Sequence, residues 1–191
     1  LTDFGINAAI FGMVAHGLIT GMLFFIAGSV KERYHTLEIK RLGGLLIQAP
    51  RMGWILGFTT MASLGLPGLA GFWGEFPAIL AAYSPATGVS TDLFRVYMVI
   101  AAIGTVLAAA YLLWLLQRTA FGTPSEEFED DPHIHDVVFT EWVAWVPLLI
   151  LIVVLGFIPG LVFDVTNGPV TMVADALEAA GTAAVGSALG G

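Results

Sequence analysis

The sequence predicts an all-α membrane protein, a polytopic helix bundle with four transmembrane segments, from its composition and from the grouping of its apolar residues. Of the 191 residues, 57% are hydrophobic and 12% are charged, whereas soluble domains carry about 25% charged residues. The apolar residues form four blocks, at about 4–30, 52–83, 93–117 and 141–163, and each is long enough to cross a bilayer. We therefore predict a transmembrane domain over 1–168, followed by a C-terminal surface helix and tail over 169–191.

The first block holds a single titratable side chain near its centre. No charged residue lies between Phe4 and Val30, and His16 stands within AAIFGMVAHGLITGMLFFIAG. An imidazole titrates near neutral pH and can pass a proton between its two nitrogens, which suits a proton relay. Thr20, one turn later, shares its helix face and would extend such a path. The alternative is a structural histidine bonded to a neighbouring carbonyl.

The link after the first block carries most of the positive charge, since five of the seven Lys and Arg residues lie there. They are Lys31, Arg33, Lys40, Arg41 and Arg51. Such residues are retained on the cytoplasmic side of a membrane. With four crossings, both ends of the chain are then predicted outside. Arg118, at the end of the third block, agrees with this orientation, and Arg95, near the start of that block, disagrees.

The second block is too long and too rich in helix-breaking residues to be one straight helix. Its 32 residues would form about 48 Å of helix, against a hydrocarbon core of about 30 Å. Pro67 lacks an N–H, and glycines surround it in GLPGLAGFWG. We predict a break near 66–74, with helices over 52–65 and 74–83. Non-helical backbone at this depth requires a protein or water-filled interior.

Glu75 is the one formally charged residue between Met52 and Tyr83. A charge at the bilayer centre costs about 2.5–3.5 kcal/mol on insertion scales, so an intramembrane acid points to function. Two interpretations remain open: a neutral carboxyl that makes a structural hydrogen bond, or a site that is protonated and deprotonated in turn. The adjacent helix break favours the second, because it offers polar backbone and water.

The last two blocks and their flanks contain no equally distinctive residue. The link at 119–140 is acidic, and His133 and His135 follow Glu129, Asp130 and Asp131. These groups suit either a metal site or, more simply, a hydrated loop. Trp142 and Trp145 open the fourth block and are predicted as interfacial anchors. Beyond it, we expect a short surface helix near 169–180 and a frayed end.

Several kinds of site are excluded or unsupported by the sequence. The chain has no cysteine, which excludes disulfides, thiolate metal sites and cysteine-bound iron–sulfur clusters. No glycine-rich phosphate loop follows a strand, so no nicotinamide or flavin site is predicted. The basic cluster at 31–51 is explained by membrane topology, so no nucleic-acid partner is predicted. A bis-histidine haem lacks a second intramembrane ligand. The chain begins at Leu1 without a signal peptide, and we expect it to be a piece of a longer protein.

Four stretches of the sequence resemble the antiporter-like membrane subunits of respiratory complex I. They are HGLITGMLFFIAGSVKERYHT, RLGGL, MASLGLPGLAGFWGEF and AAYLLWLLQRTAFG. The resemblance covers essentially the whole chain and is most specific over 16–76. Two of the three sister subunits carry lysine after the LPG break, and Glu75 therefore favours the third. The four blocks would be the last four of about fourteen helices, with both ends outside.

The resemblance implies a proton-translocating subunit of NADH–quinone oxidoreductase in the cell inner (plasma) membrane. By position, Glu75 would be the ionisable residue of the broken helix, and His16 would belong to the polar axis that feeds it. No cofactor is expected in this chain; NADH, FMN, iron–sulfur clusters and quinone would belong to the assembled complex. The implied partners are the other membrane subunits and the lipid bilayer. The alternatives are a subunit of a related cation/proton antiporter and a purely structural membrane subunit.

Overall fold

The computed structural model describes residues 2–86, 88–129 and 131–189, and every regular element in them is helical. The elements are α1 (Asp3–Tyr34), α2 (Leu45–Gln48), α3 (Pro50–Ser63), α4 (Ala70–Ala81), α5 (Thr91–Ala120), α6 (Phe139–Phe157) and α7 (Gly160–Leu189). Within this part of the chain, α1, α5 and α6 are long and apolar enough to cross a membrane. The all-α prediction is confirmed for these residues, and the count of four crossings remains a prediction.

Helix α1 is the centre of the bundle and contacts α3, α4, α6 and α7. Its start is capped by the side chain of Thr2, which accepts a hydrogen bond from Gly5 N–H at 3.2 Å. It ends at Tyr34, and the next residue, His35, adopts the left-handed conformation with φ of 50°. Buried apolar residues recur along the helix, among them Phe11, Met22 and Ile26. One continuous helix therefore provides the surface on which the others pack.

The second apolar block consists of two helices, α3 and α4, separated by residues 64–69. Gly65 and Gly68 have φ of 66° and 93°, a conformation that glycine adopts without strain. The predicted break near 66–74 is wrong at its C-terminal end, because Gly71 and Gly74 lie inside α4. A Cβ at Gly71 would overlap the carbonyl oxygen of Ala62, and one at Gly74 would overlap the Cα of Gly12. These two glycines permit close helix packing and do not interrupt the helix.

The fourth block also differs from its predicted bounds. Helix α6 ends at Phe157, and the predicted segment continued to 163. Pro159 has no N–H with which to extend α6. Helix α7 begins at Gly160 and runs 30 residues, so the C-terminal helix starts before the predicted 169 and is longer than expected. Residues 190–191 of the predicted tail lie outside the described residues.

Helix α7 packs beside the N-terminal part of α1. The rings of Phe163 and Phe11 are 5.0 Å apart, and Asn7 Nδ2 donates to Asn167 Oδ1 at 2.9 Å. Thr171 Oγ1, one turn further along α7, donates to Asp3 Oδ2 at 3.1 Å. The pairs proceed in opposite directions along the two helices, so this stretch of α7 is antiparallel to α1.

The two links that precede α3 and follow α5 lie against each other. We call residues 35–49, 121–129 and 131–138 the polar cap. Gly44 N–H donates to Phe121 O at 3.1 Å, and Gln48 Nε2 donates to Phe128 O at 2.5 Å. An exposed ion pair joins Arg41 to Glu127. The basic and acidic links therefore share one end of the bundle.

The aromatic residues at the start of α6 do not have equivalent positions. Trp142 is partly buried beside the core, whereas Trp145 is 1% exposed and is one of the largest fully buried side chains. The prediction of an interfacial anchor is wrong for Trp145. The core around it includes residues of the polar cap, among them Phe128 and Val137. Trp145 therefore belongs to the buried core at the end of the bundle where the sequence predicted a position among lipid headgroups.

Candidate functional site

Glu75 lies in the second turn of α4, and its carboxyl lies against the break that precedes that helix. A Cβ on Gly65 would be 2.8 Å from Glu75 Oε2. The side chain is exposed on the surface of this chain. Within the described part of the chain, no hydrogen bond or ion pair engages it. The structure thus places the acid beside irregular backbone, with one side open to groups beyond these residues.

His16 faces a cavity of about 510 Å³ between α1, α3 and α5. The walls are mostly aliphatic and aromatic, and Thr20, Ser63 and Tyr111 supply polar atoms. Thr20 Oγ1 lies 3.3 Å from His16 Nε2 and 3.4 Å from its Nδ1. The neighbour predicted from the sequence is therefore present at long hydrogen-bond distance. The imidazole is also exposed on the surface of this chain.

His16 and Glu75 lie on either side of the point where α1 and α4 approach most closely. A Cβ on Gly12 would be 3.4 Å from the Cα of Gly74, so the two backbones touch there. His16 follows Gly12 by one turn, about 6 Å along the axis, and Glu75 directly follows Gly74. No hydrogen bond between the two side chains occurs in the described residues. The crossing brings both ionisable residues near the contact between Gly12 and Gly74 without joining their side chains.

The sequence reasoning missed a buried ion pair between Arg33 and Glu141. The Arg33 side chain is 3% exposed and that of Glu141 is 14% exposed. Arg33 Nη1 and Nη2 donate to Glu141 Oε1 and Oε2 at 2.8 and 2.7 Å, the bidentate geometry of a strong pair. Ser29 Oγ also donates to Glu141 Oε1 at 2.5 Å. The sequence offered one signal for this pair, since Arg33 and Glu141 each lie at the edge of an apolar block. That signal was not used because the positive-inside rule already accounted for Arg33.

The carboxylate of Asp136 caps the start of α3 from a distant part of the chain. It accepts hydrogen bonds from the N–H groups of Arg51 and Met52 at 3.0 and 3.2 Å. The residue at the local N-cap position, Ala49, has no side chain able to do this. Arg33 also donates to the backbone carbonyls of His135 and Asp136. Residues 135–136 therefore tie α1 to the first turn of α3.

Two histidines of the polar cap, His133 and His135, are engaged by nearby polar groups. His133 donates its backbone N–H to Asp131 Oδ1 at 2.9 Å, and its ring Nδ1 lies 2.9 Å from the same oxygen. These bonds lower the pKa of the Asp131 carboxyl. His135 lies against Arg33. In the parts of the chain that the structure describes, no three His, Asp or Glu side chains are arranged to hold a metal; Asp130 falls outside them.

The sequence matches a known membrane family over more than half of its length. That family, described as NADH:quinone oxidoreductase/Mrp antiporter, TM, matches residues 1–104. Subunit M of an NADH-quinone oxidoreductase from Rhodobacter capsulatus is 40% identical over 160 residues, which are 84% of this chain and 29% of that protein. An NAD(P)H-quinone oxidoreductase chain 4 from a Synechococcus strain is 36% identical over 174 residues, covering 87% of this chain and 32% of that protein.

A solved structure shows the same fold. It is the respiratory complex I from Thermus thermophilus with bound NADH, in which one chain is 29% identical to this one with a TM-score of 0.75. The match covers 88% of this chain and 33% of that chain. The chain therefore spans about a third of the length of its relatives. The resemblance that the sequence predicted is confirmed, and the chain belongs to the NADH:quinone oxidoreductase/Mrp antiporter membrane family.

Proposed function

We propose that this chain is part of a subunit M-type, proton-translocating membrane subunit of an NADH–quinone oxidoreductase. The observation that carries the proposal is the position of Glu75. It is an acid on the short half of a broken helix, next to the irregular backbone of the break, in a chain whose relatives include proteins named subunit M. An intramembrane acid in such a place can bind a proton and release it.

Glu75 is the proton-binding residue in this proposal, and His16 belongs to the path that supplies it. The cavity at His16 and the nearby hydroxyl of Thr20 support this role for the histidine. The gap between the two ionisable side chains would be bridged by water or by side chains from the rest of the subunit. No redox step takes place on these residues. They hold and move a proton, while electron transfer takes place in other subunits.

The proposed topology has four crossings with the second one broken. These are α1, α3 with α4, α5, and α6 with the first turns of α7, within a transmembrane domain over 1–168. The polar cap would face the cytoplasm because it carries the basic link, and both ends of the chain would be outside. Segment 169–191 would lie at the outer surface. The proposed location is the cell inner membrane.

The proposed partners are the other membrane subunits of the complex, especially neighbouring antiporter-like subunits, together with lipid. NADH, FMN, iron–sulfur clusters and quinone would be bound by the assembled complex and not by this chain. The long helix α5 supports a membrane setting, since most of its apolar side chains, including Ile100, Val106 and Leu107, are exposed here.

The test is Glu75→Gln in the full-length subunit, measured in membrane vesicles. Glutamine has nearly the same shape but cannot release a proton, so we expect fewer protons translocated per electron in a complex that still assembles. The matched control is Glu38→Gln, an exposed glutamate of the polar cap, which should pump normally. An unchanged proton-to-electron ratio in Glu75→Gln, with normal assembly, would refute the proposal.

A second candidate is a subunit of a cation/proton antiporter, because the matching family description includes the Mrp antiporter. In that case the same Glu75 would exchange protons against a metal cation. Vesicles energised without NADH distinguish the two functions: an antiporter subunit would support cation-driven proton movement, whereas the oxidoreductase subunit would require electron transfer.

A further inference from the structure

Two helix breaks lie against each other in the bundle. The loop between α3 and α4 lies directly against the bend between α6 and α7. A Cβ on Gly156 would overlap the carbonyl oxygen of Gly68 and would be 2.6 Å from the Cα of Leu69. On the other side, a Cβ on Gly68 would touch the ring of Phe157 at 3.4 Å. The two irregular backbones are therefore in direct contact.

One side chain bridges these breaks with a directional hydrogen bond. Because α6 ends at Phe157, the carbonyl of Gly156 lies in a last turn, where carbonyls lack intrahelical partners. Trp73 of α4 donates its indole N–H to this oxygen at 2.7 Å. The indole also packs edge-on against Phe163 of α7, with centroids 6.4 Å apart. Trp73 thus links α4 to the end of one helix and the beginning of the next.

The position of Trp73 on α4 bears on Glu75. The two residues are two apart, which places their side chains about 200° apart around the helix. The short helix α4 is not continuous with α3, and no side chain caps its start. Its rotation is consequently set by its contacts with neighbouring helices. A bond that holds Trp73 toward α6 turns Glu75 toward Gly65 and the break.

We propose that Trp73 is a positioning residue for Glu75, acting through its hydrogen bond to the Gly156 carbonyl. The bond fixes the rotation of α4 and thereby the place of the Glu75 carboxyl. This inference rests on the proposed function of Glu75 as the proton-binding residue. The close contacts of Gly71 and Gly74 also restrict this rotation. An aromatic ring alone would fill the space of the indole, whereas a directional donor adds a preference for the rotation in which the N–H points at the Gly156 carbonyl.

Two variants distinguish the effect of the Trp73 N–H donor from the effect of packing by its ring. Trp73→Phe keeps an aromatic ring and removes the N–H. Trp73→His keeps an N–H near the position of the indole donor and removes the six-membered ring; it is measured at pH 8.5, a value chosen so that the imidazole is neutral. Trp54→Phe is the matched control, because Trp54 is exposed and makes no hydrogen bond within the described residues.

The measurement is the rate at which a hydrophobic carbodiimide modifies Glu75 in the assembled complex, followed by mass spectrometry, together with the proton-to-electron ratio. A displacement of about 1 Å can change the rate of a positioned group up to about 100-fold, so we expect Trp73→Phe to change the modification rate by at least about threefold. It should also lower the proton-to-electron ratio. Trp73→His should stay close to the wild type in both, as should Trp54→Phe.

Three outcomes would overturn the inference. The first is a wild-type modification rate in Trp73→Phe. The second is an equal change in Trp73→Phe and Trp73→His, which would assign the effect to packing. The third is loss of assembly in Trp73→Phe, which would make the bond a requirement of folding. The proposed function is judged separately by Glu75→Gln: if that variant pumps normally, the modification rate at Glu75 still decides whether Trp73 positions it.

Discussion

Removing the charge of Glu141 should destabilise the protein strongly, because its partner Arg33 is buried. Glu141 Oε1 accepts from Ser29 Oγ and Arg33 Nη1, and Oε2 accepts from Arg33 Nη2 and from Val138 N–H. In Glu141→Gln, an amide nitrogen would replace one oxygen and face two donors. The Arg33 charge, with 3% of its side chain exposed, would lose its counter-ion.

The magnitude follows from this geometry. Breaking a buried ion pair from one side costs about 3–5 kcal/mol. Since the Glu141 side chain retains 14% exposure, we expect the lower end, about 3 kcal/mol. For a chain of this size, that lowers the apparent melting temperature by roughly 6–12 °C. The double variant Arg33→Met with Glu141→Leu removes both charges and should be more stable than Glu141→Gln.

The assay is thermal unfolding of the purified chain in detergent, followed by intrinsic tryptophan fluorescence. Glu127→Gln is the control, because the Arg41–Glu127 pair lies in the neighbouring polar cap and is exposed; the melting temperature of this variant should not change measurably. If Glu141→Gln melts like the wild type, the reasoning from burial is refuted. It is also refuted if the double variant is as unstable as Glu141→Gln.

Three further predictions concern the Asp136 cap of helix α3, the crossing of α1 and α4 at Gly74, and the imidazole of His16. Asp136→Ala removes the distant cap of α3 and should cost about 0.5–2 kcal/mol in the same melting assay, while Asp131→Ala, which removes only contacts within its own loop, should have a smaller effect. Gly74→Ala forces a methyl group into the backbone of α1 and should cost about 1–3 kcal/mol, whereas Gly104→Ala, with open space around it, should be neutral or stabilising; equal melting temperatures would contradict the close crossing. His16→Ala in the full-length subunit should reduce proton translocation less than Glu75→Gln, because water or Thr20 can replace the imidazole, and wild-type pumping would assign His16 a structural role.

The sequence was most informative where the physical cause is local. Long apolar blocks predicted helices because backbone polar groups in a bilayer need internal hydrogen bonds. Pro67 and its neighbouring glycines predicted the interruption of the second block, and residues 64–69 separate two helices in the structure. His16 and Glu75 were selected because ionisable groups are rare at such depth. Each of these inferences needed only neighbouring residues.

The exact bounds were less predictable, because glycine has two roles. Gly65 and Gly68 have positive φ and belong to the break. Gly71 and Gly74, in the same repeat, are helical and instead allow α4 to approach Ala62 and Gly12. The four glycines are each three residues apart. Their spacing does not distinguish the two roles, because the role of each glycine depends on what packs against it.

By itself, the sequence determined the helical class, the break in the second block and the two ionisable residues, since these follow from composition and helix chemistry along the chain. The tertiary structure alone decided which groups meet. Arg33 pairs with Glu141, which lies 108 positions away, and Asp136 caps a helix that starts more than 80 positions earlier. Trp73 reaches the carbonyl at the end of α6. Such pairs depend on the neighbours, rotation and depth of each helix, which are set by the packing of the whole bundle.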